Sequence, residues 1–600
     1  MYSFNPWKHF HKEPFGAVRN NESMKVRFTA EGDVAVKLVM HRDFGARHEF
    51  EMIKVDDTTF ETTVLFDHGR ALYFYYFEIV EKSDWGGRRL YYSASMLGGE
   101  GYIVEEMNQI RHFQLTVYEG NDATPDWYRN SVFYQIFPDR FYNGNTDGHV
   151  NSPKANSFLY AQETDSPFYI KDMKSGEIAR WDFYGGNIKG ITAKISYLKE
   201  LGVTAIYLNP IFLSKSNHRY DTMDYLRIDP MLGTEADFRE LVDCLHENEM
   251  HIILDGVFSH VGDDSEYFNR FGNFGVNVGA AQSQESPYYE WFKFTDWPRE
   301  YKSWWGFKNM PEVDKNNPAF QQFIYGNDNS VLSKWNEFGV DGWRLDVADE
   351  LPDSFIRGIR KRLAGIDDQK ILIGEVWEDA SNKLAYDQRR DYILGDALQG
   401  VMNYPLRDLI INYVCGNIQA NEVAHQLMIL RENYPKEIFY GNLNNIGTHD
   451  SERILTMVGD DNMDIAIGMM FVMPGVPTIY YGDEAGMTGR KDPANRKFFP
   501  WNDIHEPFYT LYHYWAHERL ANDALKTGNF NVGYVGNTLA ILRQGKEASY
   551  LYLANPKEQA VLIKPDQIKF LRDHEFDIEL SNMKELKVPA KYSLFTKINK

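Results

Sequence analysis

The distribution of hydrophobic and polar positions changes twice along the chain. Residues 24–119 contain short β-branched and aromatic runs, including MKVRFTA from Met24, VAVKLVM from Val34 and ALYFYYFEIV from Ala71. Turn signals such as EGD and DHG separate these runs. This spacing predicts an antiparallel β-sandwich, followed by a polar linker that starts at Glu119.

After the linker, apolar runs alternate with longer amphipathic stretches. ITAKISYLKELG and EADFRELVDCLHENE are examples of the helix-like stretches. Eight βα units in this order predict a closed parallel (β/α)8 TIM barrel. The strand candidates are SVFYQIFP, VTAIYLNP, HIILDGVF, VDGWRLDV, ILIGEVW, ALQGVMNY, FYGNLNNIGTHD and VPTIYYGDE.

One long interval interrupts the alternation, between the third strand, which ends near His260, and a helix near Pro318. It is too long for an ordinary βα loop and predicts an inserted subdomain on the catalytic face. Short strands return near Asn522. We therefore predict a multidomain α/β chain with an N-terminal β-sandwich (1–122), the barrel (123–260 and 319–521), the subdomain (261–318) and a C-terminal β-sandwich (522–600).

The composition narrows the partners. The chain has 600 residues with 64 Lys and Arg against 86 Asp and Glu, a formal net charge of −22. No Lys/Arg-rich run offsets phosphate charge, which argues against nucleic acid as a partner. An aromatic content of 15% suits a neutral, flat-faced ligand such as a sugar, although aromatic residues also fill cores.

The cysteines and the termini indicate the compartment. Cys244 and Cys415 are far apart, so they provide neither a disulfide framework nor a metal quartet, and we expect two buried free thiols. The N-terminal residues do not resemble a signal peptide, and nowhere do 18 apolar residues follow one another. We expect a soluble cytoplasmic protein that does not associate with a membrane.

Polar side chains close four of the predicted strands, where the loops of a barrel build its active site. Each of them alone also suits a helix cap or an ion pair with a nearby arginine. Around one barrel mouth, however, three carboxylates would face a common centre. The polar side chains that close the four strands are Asp255 and His260, Arg344 and Asp346, Glu375, and His449 and Asp450.

Glycoside hydrolysis requires such an arrangement, because one carboxylate attacks or stabilises the sugar cation while a carboxylic acid protonates the leaving oxygen. Arg344 lies two residues before Asp346, on the same face of the strand, and should keep Asp346 ionised and oriented. Glu375 needs a raised pKa to hold a proton near neutral pH, and Trp377 could form part of an apolar wall beside it.

From about Ser131 onward, the chain resembles the α-amylase superfamily, glycoside hydrolase family 13. Four ordered signatures carry this likeness: DGVFSH from Asp255, GWRLDVADE from Gly342, GEVW from Gly374 and NIGTHDSER from Asn445. The resemblance implies a retaining double displacement. It assigns Asp346 as nucleophile, Glu375 as acid/base, Asp450 as transition-state stabiliser, and His260, Arg344 and His449 as residues lining the −1 subsite.

Two further segments resemble the family. In SNHRYDTMDYLRIDP from Ser216, the likeness implies that His218 and Tyr220 bind and stack on the −1 sugar. In RKDPANRKFFPW, it implies that Asp492 and Arg496 hold the next sugar. Burial of Tyr220 in the core and helix capping by Asp492 are the alternatives.

Within the family, the chain is most similar to the neopullulanase, cyclomaltodextrinase and maltogenic amylase group. The likeness rests on the N-terminal sandwich, FPDRFYNGN from Phe137 and MPEVD from Met310. It implies a homodimer in which the N-terminal module narrows the partner's active site and favours short or cyclic dextrins. The chemistry requires no cofactor.

Several residues depart from that group. Ser259 replaces the usual asparagine of DGVFNH, which weakens the case for the calcium site of other α-amylases. A second calcium site would have oxygen ligands, which suit calcium, and a plain polar turn is the alternative. Its residues would be Asn143, Asn145, Asp147, Gly185 and Asn187.

Other departures and additions bear on specificity. Asp314 and Asp349 stand where the group tends to have asparagine, so the choice between α-1,4 and α-1,6 linkages stays open. Trp304 and Trp305 are adjacent in the insert. One of them could stack on a sugar, or the pair could anchor the insert to the barrel.

The sequence thus predicts hydrolysis of α-1,4 bonds in maltooligosaccharides and cyclodextrins, with slower pullulan or starch cleavage and some transglycosylation. An exo-acting α-glucosidase or oligo-1,6-glucosidase on the same scaffold is the nearest alternative, and the N-terminal sandwich argues against it. A non-catalytic carbohydrate-binding barrel would require loss of the acids, all of which are present.

Overall fold

A parallel barrel of eight strands forms the centre of the molecule. The computed structural model describes residues 1–82, 87–120, 122–174, 176–573, 580 and 583–598. The strands are β1 Phe133–Ile136, β2 Ala205–Leu208, β3 His251–Gly256, β4 Gly342–Leu345, β5 Ile371–Gly374, β6 Gly400–Val401, β7 Leu443–Asn445 and β8 Val476–Tyr480. They follow the spatial order β6-β5-β4-β3-β2-β1-β8-β7, and a parallel bridge from Met402 to Leu443 closes the ring between β6 and β7. The eight predicted strands are thereby confirmed.

The barrel strands are buried almost throughout, which explains why they appear as continuous apolar runs and not as alternating ones. The helix Glu235–Glu247 is amphipathic: it begins with a capping box between Thr234 and Asp237 and buries Phe238 and Leu241. The α-helices around the barrel are Ile188–Ala193, Ile195–Leu201, Glu235–Glu247, Pro318–Gln321, Val331–Asn336, Asp353–Ile366, Tyr404–Val414, Ala420–Asn433, Lys436–Gly441, Ile454–Val458, Met463–Val472, Glu506–Ala521 and Asp523–Thr527.

Two long connections rise above the carboxyl ends of the strands. The predicted insert after β3 is present and contains the small strands Phe294–Asp296 and Glu300–Tyr301. A second long connection, after β1, was not predicted from the sequence, and it holds a three-stranded sheet of Ser157–Leu159, Ile170–Lys171 and Ile178–Phe183. Its strands are short and only Asp182 and Phe183 are buried, so they lack the hydrophobic period that would have revealed them.

The N-terminal region is the predicted β-sandwich. Its two sheets share one core, in which the rings of Phe28 and Phe77 lie 4.7 Å apart. One sheet contains Tyr2–Ser3, Lys12–Glu13, Ser23–Ala30, Ile53–Lys54 and Thr59–Leu65. The other contains Val18–Arg19, Val34–Arg42, Arg47–Glu51, Ala71–Glu81, Arg88–Ser93, Tyr102–Val104 and Phe113–Tyr118.

The C-terminal region is a second, smaller β-structure. A five-stranded sheet and a two-stranded sheet share a core that includes Leu551, Ile563 and Val588. The larger sheet contains Asn529–Val535, Thr538–Gln544, Ser549–Asn555, Lys569–Phe570 and Tyr592–Ile598, and the smaller one Val561–Ile563 and Leu586–Val588. The numerical domain bounds given above stay a prediction.

One expectation about the cysteines is wrong. Both thiols are free, but Cys415 is exposed and Cys244 is only partly buried. Cys244 packs against the edge of the core from the helix Glu235–Glu247, and Cys415 lies at the end of the helix Tyr404–Val414, so an apolar neighbourhood in sequence does not guarantee burial. Among the described residues, we find no helix with the length and apolar character needed to span a bilayer.

Candidate active site

The predicted catalytic and sugar-binding side chains meet at one cavity of about 710 Å³ over the carboxyl ends of the barrel strands. Arg344 lies beneath its floor and has no exposed surface. Loops after β2, β3, β4, β5, β7 and β8 therefore contribute to a single site. The predicted residues that line it are His218, Tyr220, His260, Asp346, Glu375, His449, Asp450, Asp492 and Arg496.

Arg344 connects three carboxylates at the floor of the cavity. Its Nη1 lies 2.8 Å from Asp255 Oδ1 and 2.8 Å from Asp346 Oδ1, and its Nη2 lies 3.0 Å from Glu375 Oε2. One cation thus offsets the mutual repulsion of the three acids. Asp255 also accepts hydrogen bonds from the hydroxyls of Tyr207 and Tyr220, at 2.6 and 2.8 Å. Asp255 is therefore a support for Arg344, a role that the sequence did not reveal.

Glu375 accepts two further hydrogen bonds. The Val347 amide donates to its Oε2 over 2.9 Å, and the Trp377 indole N–H donates to its Oε1 over 3.1 Å. Trp377 in turn stacks on Tyr404, with ring centroids 3.9 Å apart. Trp377 is therefore a hydrogen-bond donor to the acid as well as the apolar wall that the sequence suggested.

Burial raises the pKa of both central acids, Asp346 and Glu375. It raises the pKa of Glu375, and it raises the pKa of Asp346 well above its ordinary value, against the opposing effect of Arg344 in each case. Each of the two charges also disfavours the other. Arg344 alone therefore does not guarantee the ionised Asp346 that the sequence analysis expected, and the pair exchanges protons as one unit.

Asp450 is the acid that remains ionised. Its enclosure disfavours the charge, but His449 Nε2 lies 3.0 Å from Oδ2 and Arg496 Nη2 lies 3.4 Å from Oδ1. Together with Arg344, these groups hold the pKa of Asp450 below its usual range. Asp450 can thus accept hydrogen bonds from sugar hydroxyls at any moderate pH.

A hydrogen-bonded network fixes the orientation of His449. The Gln135 amide lies 2.9 Å from Nδ1, so a proton resides on Nε2, which faces the Tyr220 hydroxyl at 2.5 Å and Asp450. The rings of Tyr220 and His449 are parallel within 6°. Tyr220 belongs to the cavity and not to the hydrophobic core, as the resemblance implied.

Two other histidines face the cavity without charge at neutral pH. Burial lowers the pKa of His218 and of His260 to about 4. Tyr220 donates its backbone N–H to His218 Nδ1 over 3.1 Å, which leaves the Nε2 proton of His218 for a ligand. His260 lies 2.8 Å from the Ser259 hydroxyl and stacks on Trp304.

Asp492 is placed in the wall of the cavity by two partners. Arg496 Nη1 lies 2.9 Å from its Oδ1, and the Tyr169 hydroxyl donates to both carboxylate oxygens, at 2.7 and 2.8 Å. Asp492 does not cap a helix. Tyr169 comes from the unpredicted connection after β1, and no sequence signal pointed to it.

The remaining wall consists of residues that the sequence analysis left open or did not name. Trp304 packs between His260 and Trp305, and Trp305 is 71% exposed. Asp349 lines the cavity, whereas Asp314 does not and pairs with Lys293 at 3.1 Å. The sequence had already singled out Asp349, Trp377 and the aromatic residues of YKSWWGF. The other wall residues are Met310, Val347, Glu350, Trp377, Glu378, Lys383, Leu384, Ala385 and Tyr386.

The residues proposed for calcium meet only in part. Asn187 Oδ1 accepts from the amides of Gly144 and Gly190 and so caps a helix, while its Nδ2 donates to Asn143 Oδ1 over 2.8 Å. Asn145 Nδ2 donates to the His149 carbonyl over 2.7 Å. Of the remaining two residues, Asp147 pairs with His149, and the Gly185 amide donates to Asp139.

The side-chain oxygens of Asn143, Asp147 and Asn187 already accept hydrogen bonds within this segment, and a calcium ion would have to replace these bonds. The donor set therefore fits calcium poorly.

The fold and the site define a (β/α)8 barrel of the α-amylase family. Residues 135–523 match the family model described as alpha amylase, catalytic domain. The chain therefore belongs to this family. It is 32% identical to the cyclomaltodextrinase of Thermoanaerobacter pseudethanolicus, covering 96% of each chain.

Two further proteins are also similar to this chain over nearly its whole length. The amylopullulanase of Thermoanaerobacter thermohydrosulfuricus is 34% identical over 94% of this chain, which spans only 42% of that relative. The structure of the type III pullulan hydrolase from Thermococcus kodakarensis is similar with a TM-score of 0.67 and 26% identity, covering all of both chains. The N-terminal sandwich and the C-terminal sheets of this chain are thus part of the likeness.

Proposed function

We propose that this protein hydrolyses α-1,4-glucosidic bonds of maltooligosaccharides and cyclodextrins with retention of configuration, cleaves pullulan or starch more slowly, and catalyses some transglycosylation. The observation that carries the proposal is the convergence of Asp346, Glu375 and Asp450 on one cavity, with Arg344 bridging the first two. The similarity to a cyclomaltodextrinase and to an amylopullulanase supports the substrate class.

In the proposed mechanism, Asp346 attacks the anomeric carbon while Glu375 protonates the departing glycosidic oxygen. Glu375 then takes a proton from water, which hydrolyses the glycosyl ester on Asp346. Asp450 binds sugar hydroxyls more tightly as positive charge develops at the ring. Retention requires carboxyl groups about 5 Å apart, and two acids that share one guanidinium group suit that spacing.

The decisive test combines activity and stereochemistry. Asp346→Asn and Glu375→Gln should each lower kcat on maltotriose by about a thousandfold or more. Residual activity within tenfold of the parent would contradict the assignment. NMR of the first product should show the α-anomer, and an inverted product would exclude the double displacement. Products from maltotriose, panose and β-cyclodextrin separate this activity from an exo-acting α-glucosidase or an oligo-1,6-glucosidase.

The proposal extends to assembly and compartment. The likeness to the neopullulanase group supports a homodimer, and the two free thiols suit a cytoplasmic location. Light scattering of the purified protein should give twice the mass of 69.9 kDa. A monomeric mass would remove the dimer from the proposal without affecting the chemistry, and fractionation of the producing cells tests the compartment.

A further inference from the structure

The chain segment that follows Glu375 passes between the cavity and the N-terminal sandwich. We call residues 381–396 the cleft loop. It contains a hairpin in which Leu384–Ala385 pairs with Gln388–Arg389. One side of the hairpin faces the cavity, where Lys383, Leu384, Ala385 and Tyr386 belong to the wall.

Tyr386 is joined to the insert through Glu350. Its hydroxyl donates to Glu350 Oε1, which also accepts from Trp305 Nε1 over 3.1 Å. Tyr386 is 68% exposed. The rings of Tyr386 from the cleft loop and Trp305 from the insert are thus held by the same carboxylate, and both line the cavity. Two exposed aromatic faces of this kind suit the binding of a sugar ring.

The backbone at the tip of the hairpin is strained. Tyr386 and Asp387 have φ angles of 52° and 61°, the left-handed region of a two-residue hairpin turn. Asn and Gly are the usual residues there, and a bulky side chain adopts this conformation only when its surroundings enforce it. The position of Tyr386 therefore depends on contacts that hold the loop from outside.

Those contacts come from the N-terminal sandwich of the same chain. Arg389 Nε donates to Asp43 Oδ2 over 2.6 Å, and both side chains are largely buried. Gln114 donates to the Ser381 hydroxyl over 2.9 Å and accepts from Asn382 Nδ2 over 2.8 Å.

The far end of the cleft loop is held in the same way. Arg70 Nη1 donates to the Gly395 carbonyl over 2.9 Å, and the Glu119 amide donates to the Leu394 carbonyl over 2.9 Å. The sandwich thus binds the start, the hairpin and the end of the loop. These contacts lie on the outside of the loop, and the cavity lies on the inside.

We propose that the N-terminal sandwich acts within its own chain as a positioning element for the active site, with Asp43 and Gln114 holding the cleft loop so that Tyr386 presents its ring to the substrate. This inference rests on the proposed hydrolysis of α-glucans. It gives the sandwich a part in substrate binding that requires no second subunit. Asp43 is a positioning residue, and it acts through Arg389 and Tyr386.

Steady-state kinetics on maltotriose and β-cyclodextrin test the proposal with the full-length protein. Asp43→Ala should raise KM about fivefold while kcat stays within about twofold, because a partly buried charged hydrogen bond is lost far from the reacting atoms. Tyr386→Ala should raise KM at least as much. In the Tyr386→Ala background, Asp43→Ala should add little, since coupled residues are not additive.

Asp33→Ala is the matched control, because Asp33 pairs with Lys82 at an exposed part of the same sandwich. It should leave KM unchanged. If Asp43→Ala does not fold, Gln114→Ala removes an independent contact and should give the same KM effect. An active parent whose KM is unaffected by Asp43→Ala or Gln114→Ala, or fully additive effects with Tyr386→Ala, would overturn the inference. An inactive parent would instead refute the proposed function.

Discussion

Trp377 donates its indole N–H to Glu375 over 3.1 Å, so the side chain that walls the acid also stabilises its ionised form. Trp377→Phe removes this hydrogen bond and keeps a ring that can stack on Tyr404. Loss of a donor to the carboxylate raises the pKa of Glu375. Because the acid must be protonated to act, the basic limb of the kcat/KM profile should move up by about 0.5 to 1 pH unit. A limb that stays in place or moves down would contradict this role.

The central arginine should dominate stability at neutral pH. Arg344→Met leaves Asp255, Asp346 and Glu375 buried together without a cation, which should cost about 3 to 5 kcal/mol of unfolding free energy at pH 7.5. The cost should shrink towards pH 5, because burial raises the pKa of Asp346 and of Glu375 and both become protonated. Urea unfolding at the two pH values measures this difference.

Arg299→Met provides the comparison for Arg344→Met. Arg299 is 77% exposed and pairs with Asp296 at the surface, so its loss should change stability by less than about 1 kcal/mol. An Arg344→Met cost that grows as the pH falls would refute the electrostatic explanation.

A pH-dependent ion pair lies at the opposite end of the barrel. His246 Nε2 lies 3.0 Å from Asp341 Oδ2. The hydrogen bond to Asp341 raises the pKa of His246. Burial disfavours the charge of Asp341, but the hydrogen bonds from His246 and His251 outweigh it and hold the pKa of Asp341 below its usual range. The stabilisation from Asp341 is lost as the pH falls below about 4, and that from His246 is lost as the pH rises beyond about 6.5.

Asp341→Asn should therefore lower stability most between these limits. We expect about 1 kcal/mol near pH 5.5, reduced by the solvent exposure of His246, and less at pH 9. Thermal melts at both pH values check this, with Asp33→Asn as the exposed control. A larger effect at pH 9 than at pH 5.5 would show that the pair is not the cause.

Tyr169 should act on substrate affinity. Tyr169→Phe removes both hydrogen bonds to Asp492, while Arg496 still holds that carboxylate at 2.9 Å. We expect KM for maltotriose to rise about two- to fivefold with little change in kcat, because one neutral donor is lost away from the reacting atoms. A loss confined to kcat would place Tyr169 in the chemistry instead.

Calcium should change neither the activity nor the thermal stability of the protein. Because the asparagine cluster around Asn187 satisfies its own hydrogen bonds, treatment with EDTA should leave the activity and the Tm unchanged. Addition of calcium chloride to the treated protein is the matching measurement. A rise in Tm of several degrees, saturating with the calcium concentration, would establish the site that the family resemblance implies.

The sequence predicted those parts of the molecule whose signals are local. Asp346 and Glu375 follow buried apolar strands, so their position in a barrel could be inferred from chain order alone. Tyr169 and Tyr386 could not be inferred, because each lies in a long connection without a hydrophobic period and reaches the cavity through tertiary packing. The role of Asp255 was missed for a related reason, since only the fold shows that two tyrosines and Arg344 converge on it.

The first barrel strand, β1, pairs with the last one, β8, so the barrel can close only after nearly all of it has been synthesised. Phe133 pairs with Thr478, and Tyr169 meets Asp492 across the same pair of strands. During synthesis the nascent chain therefore carries the nucleophile and the acid long before the ring can close. A ribosome-bound chain should remain unable to grip a sugar until Arg496 has emerged from the exit tunnel.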